Sequence, residues 1–291
     1  MKLLTSSKRF AGFFLLLPAL VLFILFFIIP TLILLSNSLF HFVPGGGIER
    51  TLTIENFLKF VKEPRYYGIL FKTIWISLVV VVSSLIIGYP VAYFLARTRS
   101  RLRILWMTML LMPILIGPVI RAYGWQVILG NVGLINTLLI KLHFIQEPIK
   151  LMFTSFGVII ALTQVVVVLM ILPIMSVLKK IEPSLEEAAQ DLGANKIKTF
   201  IQITLPLSLP GIAAGSSLAF ALSLSAFVVP ELIGGAVIGM MGVEAVKQIM
   251  SFLNWPFGAA ISTILVLFTL VIMYFYEKLL YRTQMYSSEF K

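Results

Sequence analysis

Residues 187–206 read EAAQDLGANKIKTFIQITLP. The stretch is polar, carries charge of both signs and is punctuated by Gly193 and Pro206, yet strongly apolar sequence flanks it on either side. Ser184 and Glu187 form an S-x-x-E capping box directly after Pro183, which predicts a helix starting at Ser184. Ala188 and Ala189 favour its continuation, and Gly193, following the apolar Leu192, can take the left-handed conformation that ends a helix. Asn195 is placed to cap a second helix, KIKTFIQITL, expected to stop before Pro206. Ile197, Phe200, Ile201 and Leu205 fall on one stripe of that helix, too narrow and short to cross a membrane. The expected shape is a pair of short helices meeting at a glycine elbow.

The rest of the chain explains where such an elbow sits. Of 291 residues, 59% are hydrophobic and 12% charged, and the mean hydropathy is +1.03. Ordinary soluble domains carry about 25% charged residues, so this chain belongs mostly in lipid. Six apolar segments reach the length of about 20 residues needed to cross a bilayer. They lie near 11–35, 70–95, 104–121, 156–178, 211–231 and 259–277, making residues 1–291 a single all-α integral membrane domain. Residues 182–206 form its loop between spans four and five. The first span starts with basic residues, but its apolar run is too long for a secretory signal and no small-x-small cleavage site follows.

The net charge of +11 reflects topology rather than nucleic-acid binding, because the basic residues flank apolar runs. Lys2, Lys8 and Arg9, then Arg97, Arg99, Arg101 and Arg103, then Lys179, Lys180, Lys196 and Lys198, and finally Lys278, Arg282 and Lys291 all fall on one side. That is most of the chain's 23 basic residues. The opposite loops mix theirs with Glu49, Glu55, Glu63, Glu147 and Glu244. Positive-inside orientation puts both termini and the elbow in the cytoplasm. On the outer side, residues 38–69 read as a turn-rich excursion. Residues 122–155 have apolar positions at helical spacing and read as a surface or re-entrant helix.

The absence of cysteine rules out disulfides, thiolate metal sites and cysteine nucleophiles. His41 and His143 are isolated, so no metal site is expected on them. A membrane enzyme would need more intramembrane acids or histidines than Glu231 alone. An ion-gradient transporter would show an internal repeat with broken helices. No G-x-x-x-x-G-K-[ST] cradle occurs; GANKIK lacks its second glycine.

The elbow resembles the cytoplasmic signature of ABC importer permeases: E-A-A, three residues, G, nine residues, then I-x-L-P. Glu187, Ala188, Ala189, Gly193, Ile203, Leu205 and Pro206 occupy those positions with every interval kept, between spans four and five of six. The resemblance implies an inner-membrane transport subunit with no cofactor of its own. It also implies a separate ATP-hydrolysing subunit dimer, a second homologous permease and an extracytoplasmic solute-binding protein. In that family the elbow seats in a cleft on the ATPase. Glu187 would meet a basic group there, Gly193 would make the bend, and Ala188 and Ala189 would allow close approach.

Four stretches, NWPFGAA (254–260), RAYGWQVIL (121–129), LEEAAQDLGA (185–194) and PELIGG (230–235), resemble the spermidine/putrescine branch. Permeases for opines, phosphonates and other small organic solutes share much of this pattern. Glu231, expected at the outer end of span five, is the candidate counter-charge for a polyammonium solute. Tyr123, Trp125 and Trp255 are candidates for cation–π stacking. Arg121 near the same face opposes a purely cation-attracting mouth. In span five, Gly215, Ala219, Ser223 and Ala226 form a small-residue face, expected at the interface with the second subunit. Ser216, Ser217 and Ser225 are expected to pack or to back-bond to carbonyls. Pro18, Pro90, Pro113, Pro118 and Pro173 are expected to bend spans one to four.

Overall fold

The computed structural model describes residues 16–45 and 47–288. Lys2, Lys8, Arg9, residues 11–15 of the first expected span and Lys291 lie outside the described residues. The expected all-α membrane architecture is present: helices dominate, and among the described residues six stretches are long and apolar enough to cross a membrane, the third of them Pro118–Lys141. The chain's contacts group into two compact units. One comprises the chain up to Glu63 together with Ala245–Ile264, and the other comprises Pro64–Glu244 with the chain from Leu265 onward.

In the first unit, α1 (Leu16–Asn37) is apolar throughout and leaves its side chains exposed, as a helix facing lipid should. The turn-rich excursion contains a feature unforeseen from sequence, an antiparallel hairpin of β1 (Phe40–Val43) and β2 (Gly47–Leu52). Asn56, in α2 (Glu55–Lys62), pins it by donating to the carbonyls of Ser38 at 3.0 Å and Phe40 at 2.9 Å. His41 pairs with Glu55 across 3.0 Å.

The second unit is built on α3 (Pro64–Arg97), α7 (Ser155–Leu178) and α9 (Lys196–Ser225). Its core joins Ile76 and Val80 of α3, Met170, Ile171 and Ile174 of α7, and Ile212 and Ala219 of α9. Glycine sets the closeness of α7 and α9. A Cβ on Gly211 would stand 2.9 Å from Ile174 Cα and from the Pro173 carbonyl oxygen, and one on Gly215 would stand 3.0 Å from the Met170 carbonyl oxygen. Gly215, Ala219 and Ser223 are buried against this chain's own helices, while Ala226 lies past the helix end. The small-residue face therefore packs within the chain instead of forming the subunit interface expected from sequence.

The largest departures from the expected spans are in the third and the fifth. The third span, expected at 104–121, is broken: α4 (Arg103–Leu115) ends at extended Ile116 and Gly117, and Pro118 opens α5 (Pro118–Leu129). A residue before proline avoids the helical region, so Pro118 starts a helix rather than bending one. Chain direction still requires one crossing here. α3 and α7 both end at the elbow, and α9 begins there. The segment between α3 and α7 must therefore return to the opposite end, where Gln126 of α5 bonds the Leu232 carbonyl at 2.7 Å. α4 and α5 both lie on that return. A short helix, α6 (Leu134–Lys141), follows and is held by buried Asn136, which donates to the carbonyls of Gly130 and Ile149.

The fifth span begins earlier than expected and ends earlier. The second elbow helix runs on into it, so α9 starts at Lys196 and ends at Ser225. Pro206 does not stop it. Phe200–Thr204 forms one wide π-turn, closed by Leu205 N–H donating to the Phe200 carbonyl. Such a turn re-spaces the carbonyls that a proline ring would otherwise strike. Beyond Ser225 come α10 (Pro230–Val237) and α11 (Met241–Met250), joined at a bend of 87°. α12 (Trp255–Ser288) closes the described chain.

Candidate functional site: the glycine elbow

The first elbow helix is α8 (Pro183–Asp191). It starts one residue before the expected Ser184, with Pro183 at its first position and Glu182 as the cap residue. The capping box does not form, because Ser184 Oγ turns to Glu182 Oε2 at 3.3 Å. Proline's fixed φ and missing N–H suit the first helical position and displace the cap by one residue.

The helix ends in a Schellman motif. Gly193 takes φ +89°, its N–H donates to the Gln190 carbonyl at 2.9 Å, and Ala194 N–H donates to the Ala189 carbonyl at 3.0 Å. A Cβ on Gly193 would meet nothing within 4 Å, so backbone conformation alone demands glycine. Asn195 Oδ1 then accepts from Lys198 N–H at 2.8 Å and caps the next helix as expected. Asn195→Ala should destabilise the elbow by about 1 kcal/mol. Faster amide exchange confined to residues 196–199 would report it.

The signature residues separate into two groups. Glu187, Ala188 and Gly193 are exposed; Ala189, Ile203, Leu205 and Pro206 are half-buried, and Leu205 packs against the helical core. The expected apolar stripe divides the same way. Phe200 turns inward, edge-on to Tyr89 with ring centroids 5.5 Å apart. Ile197 and Ile201 stay exposed at 70% and 54%, beside Leu192 at 90%. The elbow thus exposes Leu185, Leu192, Ile197 and Ile201 among charged side chains of both signs, Glu187, Asp191, Lys196 and Lys198, a mixed surface suited to seating in a partner's cleft.

Two acids carry structure that sequence reasoning missed. Glu186, one residue before the signature glutamate, turns inward and pairs with Arg97. Glu244, which reads from sequence as an acid of the outer loops, is 4% exposed and lies 3.2 Å from Arg65. In an apolar chain, an acid beside a span usually faces inward to a partner; that rule singled out Glu231 and applies equally to Glu244. At the elbow end Lys179 is held below its usual pKa by desolvation and by the neighbouring charge of Arg103.

At the opposite end the solute candidates separate. Glu231 is not in span five; it is exposed on α10, past the end of α9. Tyr123 is exposed and Trp125 half-buried on α5, which the bond from Gln126 to Leu232 ties to α10. Trp125 helps line an open cavity of about 450 Å³ with Ser83, Ile87, Thr163 and Gln164, and its indole nitrogen is 3.5 Å from Gln164 Oε1. The cavity is mainly apolar, and no acid lines it. Trp255, 46% exposed, opens α12 in the first unit. Ser225 back-bonds to the Ala221 carbonyl at 2.9 Å and Ser216 packs toward Met170, as expected of them.

A bundle of apolar helices with an exposed polar elbow at one end defines a multi-pass membrane protein. Residues 84–284 match the family described as the binding-protein-dependent transport system inner membrane component, and the chain belongs to that family. Among its relatives is the spermidine/putrescine transport system permease protein PotB of Salmonella typhimurium, 35% identical over 239 residues, covering 82% of this chain and 83% of that one. PotB of Escherichia coli K12 is 34% identical, covering 82% and 86%, and that of Haemophilus influenzae is 34% identical, covering 89% and 91%. In fold, the chain is similar to one in the crystal structure of a bacterial alginate ABC transporter in complex with an alginate pentasaccharide-bound periplasmic protein. The TM-score is 0.78 at 17% identity, covering 98% of this chain and 99% of that one.

Proposed function

We propose that this chain forms half of the translocation path of an ATP-driven importer for a polyamine cation, spermidine or putrescine. Its elbow docks on a separate ATPase dimer, a second homologous permease completes the path, and a solute-binding protein delivers to the end opposite the elbow. Both termini and the elbow face the cytoplasm. The observation that carries this reading is the exposed elbow itself, with Glu187, Leu192, Gly193 and Ile197 bare to solvent at the family's docking position. The likeness to PotB over four-fifths of the chain supports the polyamine assignment.

Uptake of radiolabelled spermidine by cells lacking other carriers tests it. Uptake should depend on this gene and on ATP, and unlabelled putrescine should compete. Competition by 2-aminoethylphosphonate but not by putrescine would reject the polyamine assignment. Cysteine labelling from outside the cell at an introduced Leu192→Cys would reject the orientation.

Glu231 supplies a counter-charge at the receiving end, beside the helix that bears Tyr123 and Trp125. Glu231→Gln should raise the apparent KM for spermidine about tenfold, the loss of one charge-assisted hydrogen bond. Unchanged uptake kinetics would remove Glu231 from the path.

A further inference from the structure

Glu186 gathers ties from three residues on two separate helices. Its Oε1 lies 2.5 Å from Arg97 Nη2, at the last residue of α3. The same oxygen accepts from Thr204 Oγ1 at 3.0 Å, in the wide turn of α9. Its Oε2 accepts from the Tyr93 hydroxyl at 3.3 Å. Arg97 Nη1 also donates to the Ile181 carbonyl at 2.9 Å, just before α8. The two charged side chains are only 20% and 14% exposed.

We infer that Arg97 and Glu186 are a positioning pair that makes the elbow and the end of α3 move as one body. This rests on the docking reading above and adds the route by which displacement leaves the elbow. α8 is short and ends at a glycine bend, so a push on its exposed face could be absorbed by rotation about that bend. A tie to one neighbour fixes a distance, whereas ties to α3 and α9 at one carboxylate fix a position. Charge-assisted bonds in a water-poor setting resist separation, because parting them strands a charge. The tyrosine and threonine hydroxyls fill further acceptor sites of the carboxylate, so its geometry is set from several directions. Glu187, the next residue, points to solvent. Adjacent acids therefore divide the work, one toward the motor and one toward the bundle.

The test uses the whole transporter, this chain with its ATPase, second permease and binding protein, reconstituted in lipid vesicles. Spermidine imported per ATP hydrolysed is measured beside co-purification of the ATPase. Glu186→Gln and Arg97→Gln should leave co-purification intact and lower spermidine per ATP about tenfold, within the usual span of coupling between sites. The exchanged pair Arg97→Glu with Glu186→Arg should recover part of the loss. Tyr93→Phe and Thr204→Val keep the ion pair and remove one tie each, so they should give smaller losses; they also decide the matter if the charge variants fail to accumulate. A wild-type ratio in all of these variants overturns the positioning role, and so does loss of ATPase co-purification in the Gln variants without recovery in the exchanged pair. Failure of the docking reading shows differently, as normal co-purification and normal uptake in Gly193→Asp.

Discussion

Gly193→Asp is expected to abolish ATPase docking while leaving the protein in the membrane at normal amounts. Two effects add. At φ +89° a residue with a Cβ is strained by roughly 1–2 kcal/mol, which the elbow can absorb because a Cβ there meets no neighbour. The larger effect is the carboxylate. Gly193 lies beside Leu192 and Ile197, and docking would press an unpaired charge into an apolar cleft at a cost of several kcal/mol. A loss of about 3 kcal/mol lowers affinity roughly 100-fold. Gly193→Asn separates the two effects, since asparagine tolerates left-handed backbone and carries no charge; it should keep most of the binding. The measurement is co-purification of the ATPase together with spermidine uptake. Normal values of both in Gly193→Asp would remove the elbow from the docking interface.

Gly211→Leu is expected to have the largest effect on the bundle itself. The added Cβ would stand 2.9 Å from backbone atoms of Ile174 and Pro173, and backbone in the middle of a buried helix pair cannot step aside as a flexible side chain can. Overpacking of this kind costs about 1–3 kcal/mol even for small additions, and a leucine adds more bulk still. The variant should accumulate poorly, and its detergent-solubilised unfolding temperature should fall by several degrees, as expected for a loss of a few kcal/mol in a chain of this size. Gly211→Ala should give a smaller drop. Gly68→Ala, where a Cβ meets nothing within 4 Å, is the control and should match wild type. An unshifted transition in Gly211→Leu would mean that α7 and α9 do not pack backbone to backbone.

Much of this protein was legible because its physics is local. The Gly193 bend and the Asn195 cap follow from the conformational freedom of glycine and the reach of an asparagine side chain, and both are present where expected. Other local expectations failed to nearby competition. Pro183 took the first helical position and left the Ser184 box unformed. Gly117 and Pro118 split the third crossing, which reads as continuous on apolarity alone because hydropathy does not register the backbone limits a proline imposes. Pro206 reads as a stop, yet one wide turn lets the helix pass.

The amino-acid order by itself determined a lipid-embedded helical chain, the place of the polar elbow within it and the residue types at its bend, since these follow from apolar length and from the φ preferences of single residues. Only the tertiary structure decided which way each side chain faces. Neighbouring Glu186 and Glu187 are chemically alike, and the side of α8 that meets α3 is what turns one inward to Arg97 and leaves the other in water. The same holds for the small-residue face of α9, whose period allows close packing without naming the partner; the approach of α7 at Gly211 and Gly215 names it.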